Sequence, residues 1–242
     1  MRCVSLRGEE LNKTHSPFHI PHPAHSQHPL LKKQNLLFDV MKEYYPMYIA
    51  GRTIKGDLVY YEEMGNIDMA KLHAKGVEID TLLDHYEACS IFAFEFLQPH
   101  ADAQMLSVFD AEGCSWKELK GDAMKFMKQA SNKMQKDYAH RNCGVILVNC
   151  PGWIGMAWRT FVKMGLFDKE TLDKTRILTK EETFAGLLEF IEEKQIPKKY
   201  GGKLVFEGGA GGEHNCRKYS TDEVRFRDFM LSQDHNKPQV EP

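Results

Sequence analysis

The chain has 242 residues, of which 42% are hydrophobic and 27% are charged, values that predict one globular domain with a substantial core. Its formal net charge of −2 excludes an overall basic field that would attract nucleic acid or an anionic bilayer. Its six cysteines form no C-x-x-C pair, which favours reduced thiols in an intracellular protein.

Signals for membrane insertion and secretion are lacking in the sequence. No run approaches the ~18 apolar residues of a membrane-spanning helix, and the N-terminal M-R-C-V-S-L-R-G-E-E has no apolar signal-peptide core. We therefore expect a soluble, cytoplasmic protein that meets membranes only transiently, through local and mostly hydrophobic contacts.

Residues 1–30 differ in composition from the rest of the chain. They contain closely spaced histidines and prolines, namely His15, Pro17, His19, Pro21, His22, Pro23, His25, His28 and Pro29. Tracts rich in histidine can bind metal ions, but the prolines prevent a single helix that would aim the rings at one point. A disordered arm is our main interpretation, and a metal site is the less favoured alternative.

The next segments alternate between helical and strand patterns. Apolar residues at helical spacing predict a helix over 31–45, which Pro46 terminates. Two short apolar strands follow, Met47–Ala50 and Leu58–Tyr61, and the Lys-Gly-Asp turn between them predicts a hairpin. A long helix rich in aromatic residues is predicted over 77–98.

The second half of the chain continues this alternation. Its predicted strands are Gln104–Phe109, Val145–Val148 and Lys174–Thr179, and its predicted helices are Trp116–Tyr138, 153–166 and 180–194. Thr179 with Glu182 predicts a capping box at the start of the last helix. Alternating strands and helices predict an α/β fold with a mixed or mainly parallel sheet of about five strands. The composition of residues 207–242 predicts a polar, mobile tail. One amphipathic turn around Phe226 could dock onto the domain.

The most unusual segment follows the buried strand Val145–Val148. Apolar residues there cover nearly the whole circumference of a helix, namely Trp153, Ile154, Met156, Ala157, Trp158, Phe161, Val162 and Met164. A helix that is apolar all round lies in a large core or faces lipid. Either it is an ordinary core helix, or one face borders an apolar cavity while the other meets a membrane.

Patterns typical of enzymes are scarce. The sequence has no G-x-S-x-G elbow, no phosphate-binding loop and no H-E-x-x-H, and Asp110 and Glu112 have no partner histidine, lysine or metal motif. We therefore expect no catalytic activity, no metal and no cofactor. Aromatic residues and methionines are instead concentrated in helices 77–98 and 153–166, which fits either a cavity for an acyl chain or a large core.

Four short motifs occur in order between residues 45 and 203. They are Tyr45-Pro46-x-Tyr48 with Lys55-Gly56-Asp57-Leu58-Val59-Tyr60-Tyr61-Glu62-Glu63-Met64-Gly65, Val108-Phe109-Asp110 with Gly113, Asn149-Cys150-Pro151-Gly152-Trp153, and Ile196-Pro197-Lys198-Lys199-Tyr200-Gly201-Gly202. Together they resemble the CRAL-TRIO lipid-binding domain, and within that family the phosphatidylinositol and phosphatidylcholine transfer proteins. The residues before Tyr45 resemble only the last helix of the N-terminal helical domain that is usual in the family.

This resemblance implies an apolar pocket on the sheet that holds one phospholipid or similar hydrophobic molecule under a mobile helical gate, Gly152–Phe167. The implied pocket and gate residues are Trp153, Met156, Trp158, Phe161, Val162, Met164 and Phe184. The implied headgroup residues are Tyr60, Tyr86 and Ser107, at positions that contact choline or its phosphate, and Lys174, at the position of a lysine that meets an inositol phosphate. Arg159 and Lys163 are expected to contact anionic headgroups of the membrane.

Two substitutions depart from the family pattern and weigh against a phosphatidylinositol headgroup. His140 stands where the family usually has an acidic residue, and Met105 replaces a serine beside Ser107. The expected organisation is an arm (1–30), a remnant helix (31–45), a lipid-binding domain (46–206) and a tail (207–242). The expected function is non-enzymatic exchange of one lipid at membranes. The alternative is a lipid-regulated adaptor that recruits a protein partner through its termini.

Overall fold

A computed structural model describes residues 37–115, 121–163, 165, 169–207 and 215–232, centred on a five-stranded sheet with the order β1-β2-β3-β4-β5. The strands are β1 (Met47–Arg52), β2 (Leu58–Glu63), β3 (Met105–Asp110), β4 (Asn142–Val148) and β5 (Thr175–Ile177). β1 and β2 form the predicted antiparallel hairpin, and all other neighbouring strands are parallel. The predicted mixed α/β fold is therefore confirmed.

Helices and helical turns connect the strands. The helices are α1 (Phe38–Tyr44), α2 (Met69–Ala74), α3 (Ile79–Ile91), α4 (Gly121–Asp137), α5 (Ile154–Lys163), α6 (Lys169–Asp173), α7 (Lys180–Leu188), α8 (Cys216–Tyr219) and α9 (Thr221–Ser232). A π-helical stretch, Phe92–Leu97, extends α3, and 3₁₀ turns occur at Met64–Asn66, Ala139–Arg141, Glu193–Gln195 and Lys198–Tyr200. None of the helices in these ranges is long and apolar enough to cross a membrane.

Two apolar cores lie on opposite faces of the sheet. Successive side chains of a strand point to opposite faces, so β1, β2 and β3 each contribute to both cores. One core contains Val59, Tyr61, Leu106, Val108, Ile146 and Val148, packed against Leu187, Ile191, Ile196 and Tyr200. The other contains Leu58, Tyr60 and Met105, packed against Leu82, Phe92, Phe126 and Phe226. The second core borders the site described below.

The start of α7 confirms the predicted capping box, whereas its end is earlier than predicted. The Glu182 side chain accepts a hydrogen bond from the Thr179 backbone N–H at 2.9 Å, and the reciprocal bond is also present. The backbone N–H of Phe190 bonds to the carbonyl of Leu187, so the last turn tightens and the helix does not continue to residue 194.

The expectation of a mobile tail over 207–242 is wrong for residues 215–232. α9 is a full helix whose Phe226 and Met230 are completely buried. The Glu223 carboxylate accepts a hydrogen bond from the Ile49 backbone N–H at 2.8 Å, and the Ser220 hydroxyl donates to the Ile49 carbonyl. These bonds occupy the outer edge of β1, so α9 covers a strand edge that would otherwise be unpaired.

Several sequence predictions fall outside the described residues. They include the arm (1–30), the start of the remnant helix (residues 31–36), the start of the helix predicted from Trp116 and the gate residue Met164. Within the described chain, Cys89, Cys114, Cys143, Cys150 and Cys216 form no disulfide bond with one another.

Candidate ligand-binding cavity

A cavity of about 830 Å³ lies between one face of the sheet and the helices that cover it. Its floor includes Ser107 and Phe109 of β3 and Val145 and Leu147 of β4. These positions alternate with the buried residues of the opposite core, because neighbouring side chains of a strand face opposite sides. The parallel strands therefore supply the floor directly from their side-chain alternation.

The walls of the cavity are mostly apolar and come from several helices, among them α3, α4 and α5. α4 contributes one helical stripe, Ala123, Phe126, Met127, Ala130 and Met134. α3 contributes Tyr86, and α5 contributes Ile154 and Trp158. Methionine side chains adapt to irregular apolar shapes, so this wall suits a flexible hydrophobic ligand.

A buried carboxyl group stands out among the lining residues. Glu62 of β2 lines the cavity and is only 7% exposed. Its Oε2 atom accepts hydrogen bonds from the hydroxyls of Tyr60 at 2.7 Å and Tyr45 at 2.9 Å. Burial raises the pKa of Glu62 from its ordinary value of 4.5 to about 7, while the two tyrosine hydrogen bonds lower the pKa less strongly.

The four predicted headgroup residues occupy three different environments. Tyr86 and Ser107 line the cavity. Tyr60 lies behind the lining, with its ring edge-on to Tyr86 at 6.1 Å between centroids, and its hydroxyl reaches the cavity only through Glu62. Lys174 is not part of the lining, and its ammonium donates to the Asn142 carbonyl at 3.3 Å. The structure therefore brings together Tyr86 and Ser107 but separates Lys174 from them.

The predicted gate residues divide between the two sides of α5. Trp158 faces the cavity, whereas Met156 is 62% exposed and Val162 is 37% exposed on the outer surface. Arg159 and Lys163 are also exposed. The all-round apolar pattern in the sequence thus corresponds to one face on the cavity and one face on the solvent.

Of the other predicted gate residues, only Trp153 has a described side chain. Trp153 precedes α5 and packs against the core around Val145 and Leu147 without lining the cavity. The side chain of Phe161, like the whole of Met164, lies outside the described residues.

The assignment of Phe184 to the pocket is wrong. Phe184 packs against the core on the opposite face of the sheet, beside Gly201. The reason is that α7 follows β5 and covers the other face, which residue patterns within α7 do not reveal. Its apolar stripe is consistent with either face.

Sequence analysis missed Glu62 and Tyr45 as lining residues. The available signal was strand alternation, because Glu62 lies two residues from Tyr60 and therefore on the same face of β2. In the sequence, both residues belong to the first family motif, which assigns them no position at a cavity. The hydrogen bond from Tyr45 to Glu62 forms because the hairpin places β1, and Tyr45 just before it, beside β2.

The four sequence motifs meet at the carboxyl ends of the strands. Lys199 Nζ lies 2.8 Å from Glu63 Oε2 and 2.5 Å from Asp110 Oδ2, and all three side chains are buried. Asn149 donates its amide to Asp110 Oδ1 at 2.9 Å, and the Tyr200 hydroxyl donates to Asp110 Oδ2 at 3.2 Å. We name Glu63, Asp110, Asn149, Lys199 and Tyr200 the polar clasp.

Arg217 extends the polar clasp from the C-terminal segment. Its Nε atom donates to Glu63 Oε1 at 2.7 Å. Both carboxylates of the clasp are thus paired with cations, an arrangement that holds strand ends together. Asp110, at the end of a strand, is therefore held by one cation and two further hydrogen-bond donors of the clasp.

The motif glycines allow close backbone contacts beside the polar clasp. A Cβ atom on Gly65 would lie 1.9 Å from the Glu112 carbonyl oxygen, and one on Gly202 would lie 2.1 Å from the Ile196 carbonyl oxygen. No side chain fits at these distances, so glycine is required at both positions.

The fold and the site define the class: a mixed α/β domain whose sheet forms the floor of an apolar cavity covered by helices. Residues 42–202 match the CRAL/TRIO domain. The chain belongs to the CRAL/TRIO domain family.

Two known relatives are similar over most of the chain. The phosphatidylinositol/phosphatidylcholine transfer protein SFH9 of Arabidopsis thaliana is 29% identical over 193 residues, which cover 71% of this chain and 31% of the relative. The Sec14 cytosolic factor of Schizosaccharomyces pombe is 27% identical over 181 residues, which cover 71% of this chain and 60% of the relative. The matched region thus spans less than two thirds of either relative.

A solved structure has a similar fold. The crystal structure of Sfh5 has a TM-score of 0.54 to this chain at 18% sequence identity. The similarity covers 80% of this chain and 63% of that chain, and it concerns the fold alone.

Proposed function

We propose that this chain holds one phospholipid, or a similar hydrophobic molecule, in the cavity and exchanges it at membranes. The observation that carries the proposal is a largely apolar cavity of about 830 Å³ between the sheet and a helical cover. Cavities of this size are typical of sites that enclose a small ligand. The name of the relative SFH9, a phosphatidylinositol/phosphatidylcholine transfer protein, supports a phospholipid as the ligand.

The energetics of such a carrier follow from the apolar lining. Removing each methylene of an acyl chain from water is worth ~0.8 kcal/mol, and the cavity and a bilayer both provide this shelter. Transfer between the two environments is therefore nearly neutral in free energy. A carrier needs this balance, since it must release its ligand as readily as it takes the ligand up.

We further propose that α5 is the gate. Trp158 on its inner side borders the cavity, while Met156 and Val162 on its outer side are exposed together with Arg159 and Lys163. Exposed apolar and basic side chains on one helix surface suit contact with an anionic bilayer. Movement of α5 would open the cavity toward the membrane, and the proposal involves no catalytic step.

The test is to identify what the purified full chain carries. Native mass spectrometry, followed by extraction and identification of the bound molecule, should find one phospholipid per chain. A sterol or another apolar molecule would retain the cavity function but replace the ligand. A chain that carries nothing and takes up nothing from phospholipid vesicles would overturn the proposal.

A further inference from the structure

The imidazole ring of His73 contacts the beginnings of two other helices. His73 lies in the last turn of α2, and its Nε2 atom is 3.2 Å from Oδ2 of Asp122 in the first turn of α4. Its Nδ1 atom is 3.3 Å from Oε2 of Glu78, the N-cap residue of α3. One side chain therefore links three helices that all border the cavity.

Both contacts of the ring are favourable only when His73 is positively charged. A neutral imidazole has one N–H group, and its other nitrogen carries a lone pair. In the neutral form, one ring nitrogen would therefore direct a lone pair at a carboxylate oxygen. The imidazolium cation donates from both nitrogens, so the geometry fits the charged form.

The contact between His73 and Asp122 lies at the edge of the cavity. Both side chains line the cavity, and they are 30% and 54% exposed, so they mark a place where the cavity meets solvent. α4 also provides the apolar stripe from Ala123 to Met134 in the cavity wall. An ion pair at Asp122 thus fixes the start of a helix that covers the cavity.

The other end of α4 is held by an ion pair that does not respond to pH near neutrality. Lys133 Nζ lies 3.1 Å from Glu87 Oε1 of α3. Lysine ordinarily keeps its charge to well above pH 8, whereas histidine changes its charge between about pH 5 and 8. The two ends of α4 therefore differ in how their ion pairs depend on pH.

We propose that His73, Glu78 and Asp122 form a proton-operated latch, which we name the histidine latch. The charged ring fastens the start of α4 to α2 and α3. Loss of one ring proton to solvent frees that end of α4 and widens access to the cavity, and no covalent bond of a ligand changes. The movement of α4 is independent of the proposed function, whereas its consequence, easier passage of a lipid, rests on that function.

The direction of the effect follows from the charge of the ring. Carboxyl groups of aspartate and glutamate ordinarily stay ionised above about pH 5, so the histidine is the member of the latch that changes charge above that pH. The latch is closed at the acid end of the range and opens as pH rises. Partly exposed ion pairs are individually weak, so opening is reversible and changes access several-fold rather than completely.

Other charged groups near the histidine latch have to be separated from it. On α2, Lys71 pairs with Asp68 at 3.1 Å, and the C-cap residue Lys75 is exposed. Glu62 also lines the cavity, and burial raises its pKa to about 7, so it loses its proton over the same range. The diagnostic quantity is therefore the difference between wild type and variant at each pH.

The first test measures the movement of α4 without any lipid assay. Hydrogen–deuterium exchange of the full chain is followed by mass spectrometry at about pH 6 and about pH 8 and corrected for the intrinsic exchange rate. Protection of the start of α4 should fall about two- to fivefold at the higher pH, while protection around Lys133 stays constant. His73→Gln and Asp122→Asn should each abolish this difference. His100→Gln is the matched control, since His100 pairs with Asp102 at 2.8 Å away from the cavity lining, and it should retain the difference.

The second test measures access to the cavity. The full chain is mixed with phosphatidylcholine vesicles that contain a fluorescent phosphatidylcholine, and the rate of uptake is recorded at the same two pH values. The ratio of the His73→Gln rate to the wild-type rate should be about two- to fivefold larger at about pH 6 than at about pH 8, because only the wild type closes the latch in acid. Glu62 titrates in both proteins, so its effect cancels from the ratio.

The outcomes distinguish this inference from the proposed function. Equal protection of the start of α4 at both pH values in the wild type, or a difference that persists in His73→Gln and Asp122→Asn, would overturn the histidine latch. A rate ratio that is the same at both pH values would overturn its control of access. If exchange changes as expected but the wild type takes up no phospholipid at either pH, the latch is supported and the proposed function is overturned.

Discussion

The ammonium of Lys199 lies 2.5 Å from a carboxylate oxygen of Asp110, and both side chains are buried at the carboxyl end of the sheet. Lys199 belongs to the segment after α7, whereas Asp110 ends β3. The same ammonium also contacts Glu63 at the end of β2. One cation therefore joins two strand ends to a distant segment, and this junction lies outside the lining of the cavity.

Lys199→Met should strongly destabilise the fold. The change leaves Asp110 buried without its cation, and loss of one partner of a buried ion pair costs about 3–5 kcal/mol. Chemical denaturation measures the free energy of unfolding. Lys203→Met is the matched control, since Lys203 makes an exposed pair with Glu193 whose loss should cost at most about 1 kcal/mol. A loss of only about 1 kcal/mol or less in Lys199→Met, as for the control, would contradict a stabilising role of the polar clasp.

Glu62→Gln should alter how stability depends on pH. The pKa of Glu62 is raised from 4.5 to about 7, so the unfolded chain ionises this group first and wild-type stability falls as pH rises through that window. The variant lacks this loss. Its stability relative to wild type should rise by up to about 3 kcal/mol between about pH 4 and about pH 8, measured by urea denaturation. Parallel pH curves for the two proteins would contradict the raised pKa.

Trp158→Asp should slow lipid exchange while the fold survives. Trp158 borders the cavity, and a carboxylate in that apolar wall disfavours closure over acyl chains. We expect transfer of a fluorescent phospholipid between vesicles to slow about tenfold or more, with an unchanged circular dichroism spectrum. Trp158→Phe keeps the wall apolar and should retain most of the rate. Unchanged transfer by the aspartate variant would count against α5 as the gate.

Met156→Asp should weaken membrane contact without changing the cavity. Met156 is 62% exposed on the outer side of α5, where a negative charge opposes contact with an anionic bilayer. Co-sedimentation with anionic vesicles should fall several-fold. Ile54→Asp is the control, because Ile54 is a similarly exposed apolar residue, 60% accessible, in the turn between β1 and β2. If both variants lose binding equally, the contact is not specific to α5.

Local sequence patterns predicted most of the helices and strands correctly. They predicted the first and last residues of these elements less accurately. The hairpin, the strand at Val145–Val148 and the capping box at Thr179 depend on residues close together in the chain, so the sequence reveals them. The sequence predicted only one amphipathic turn where α9 forms a full helix, because the charged residues of α9 resemble those of a solvated segment. In the fold, Glu223 is buried against Ile49 and Lys42, a pairing between distant residues that no local pattern contains.

At the candidate site, too, some features could be predicted from the sequence and others depend on distant parts of the chain. Tyr86 and Ser107, which the family resemblance implies as headgroup residues, line the cavity, and their role toward a ligand stays a prediction. The resemblance placed Phe184 there wrongly, because the side of the sheet that α7 covers depends on the path of the chain after β5.

The sequence by itself determined the alternation of strands and helices, the apolar pattern around the whole circumference of α5 and the motifs that identify the family. Only the tertiary structure decided that those motifs meet in the polar clasp, where Arg217 reaches Glu63. It also decided that Glu62 lines the cavity without a cation while Lys174 lies outside the lining. The physical reason is that periodicity specifies which residues share a face, whereas burial and charge pairing depend on distant segments that pack against that face.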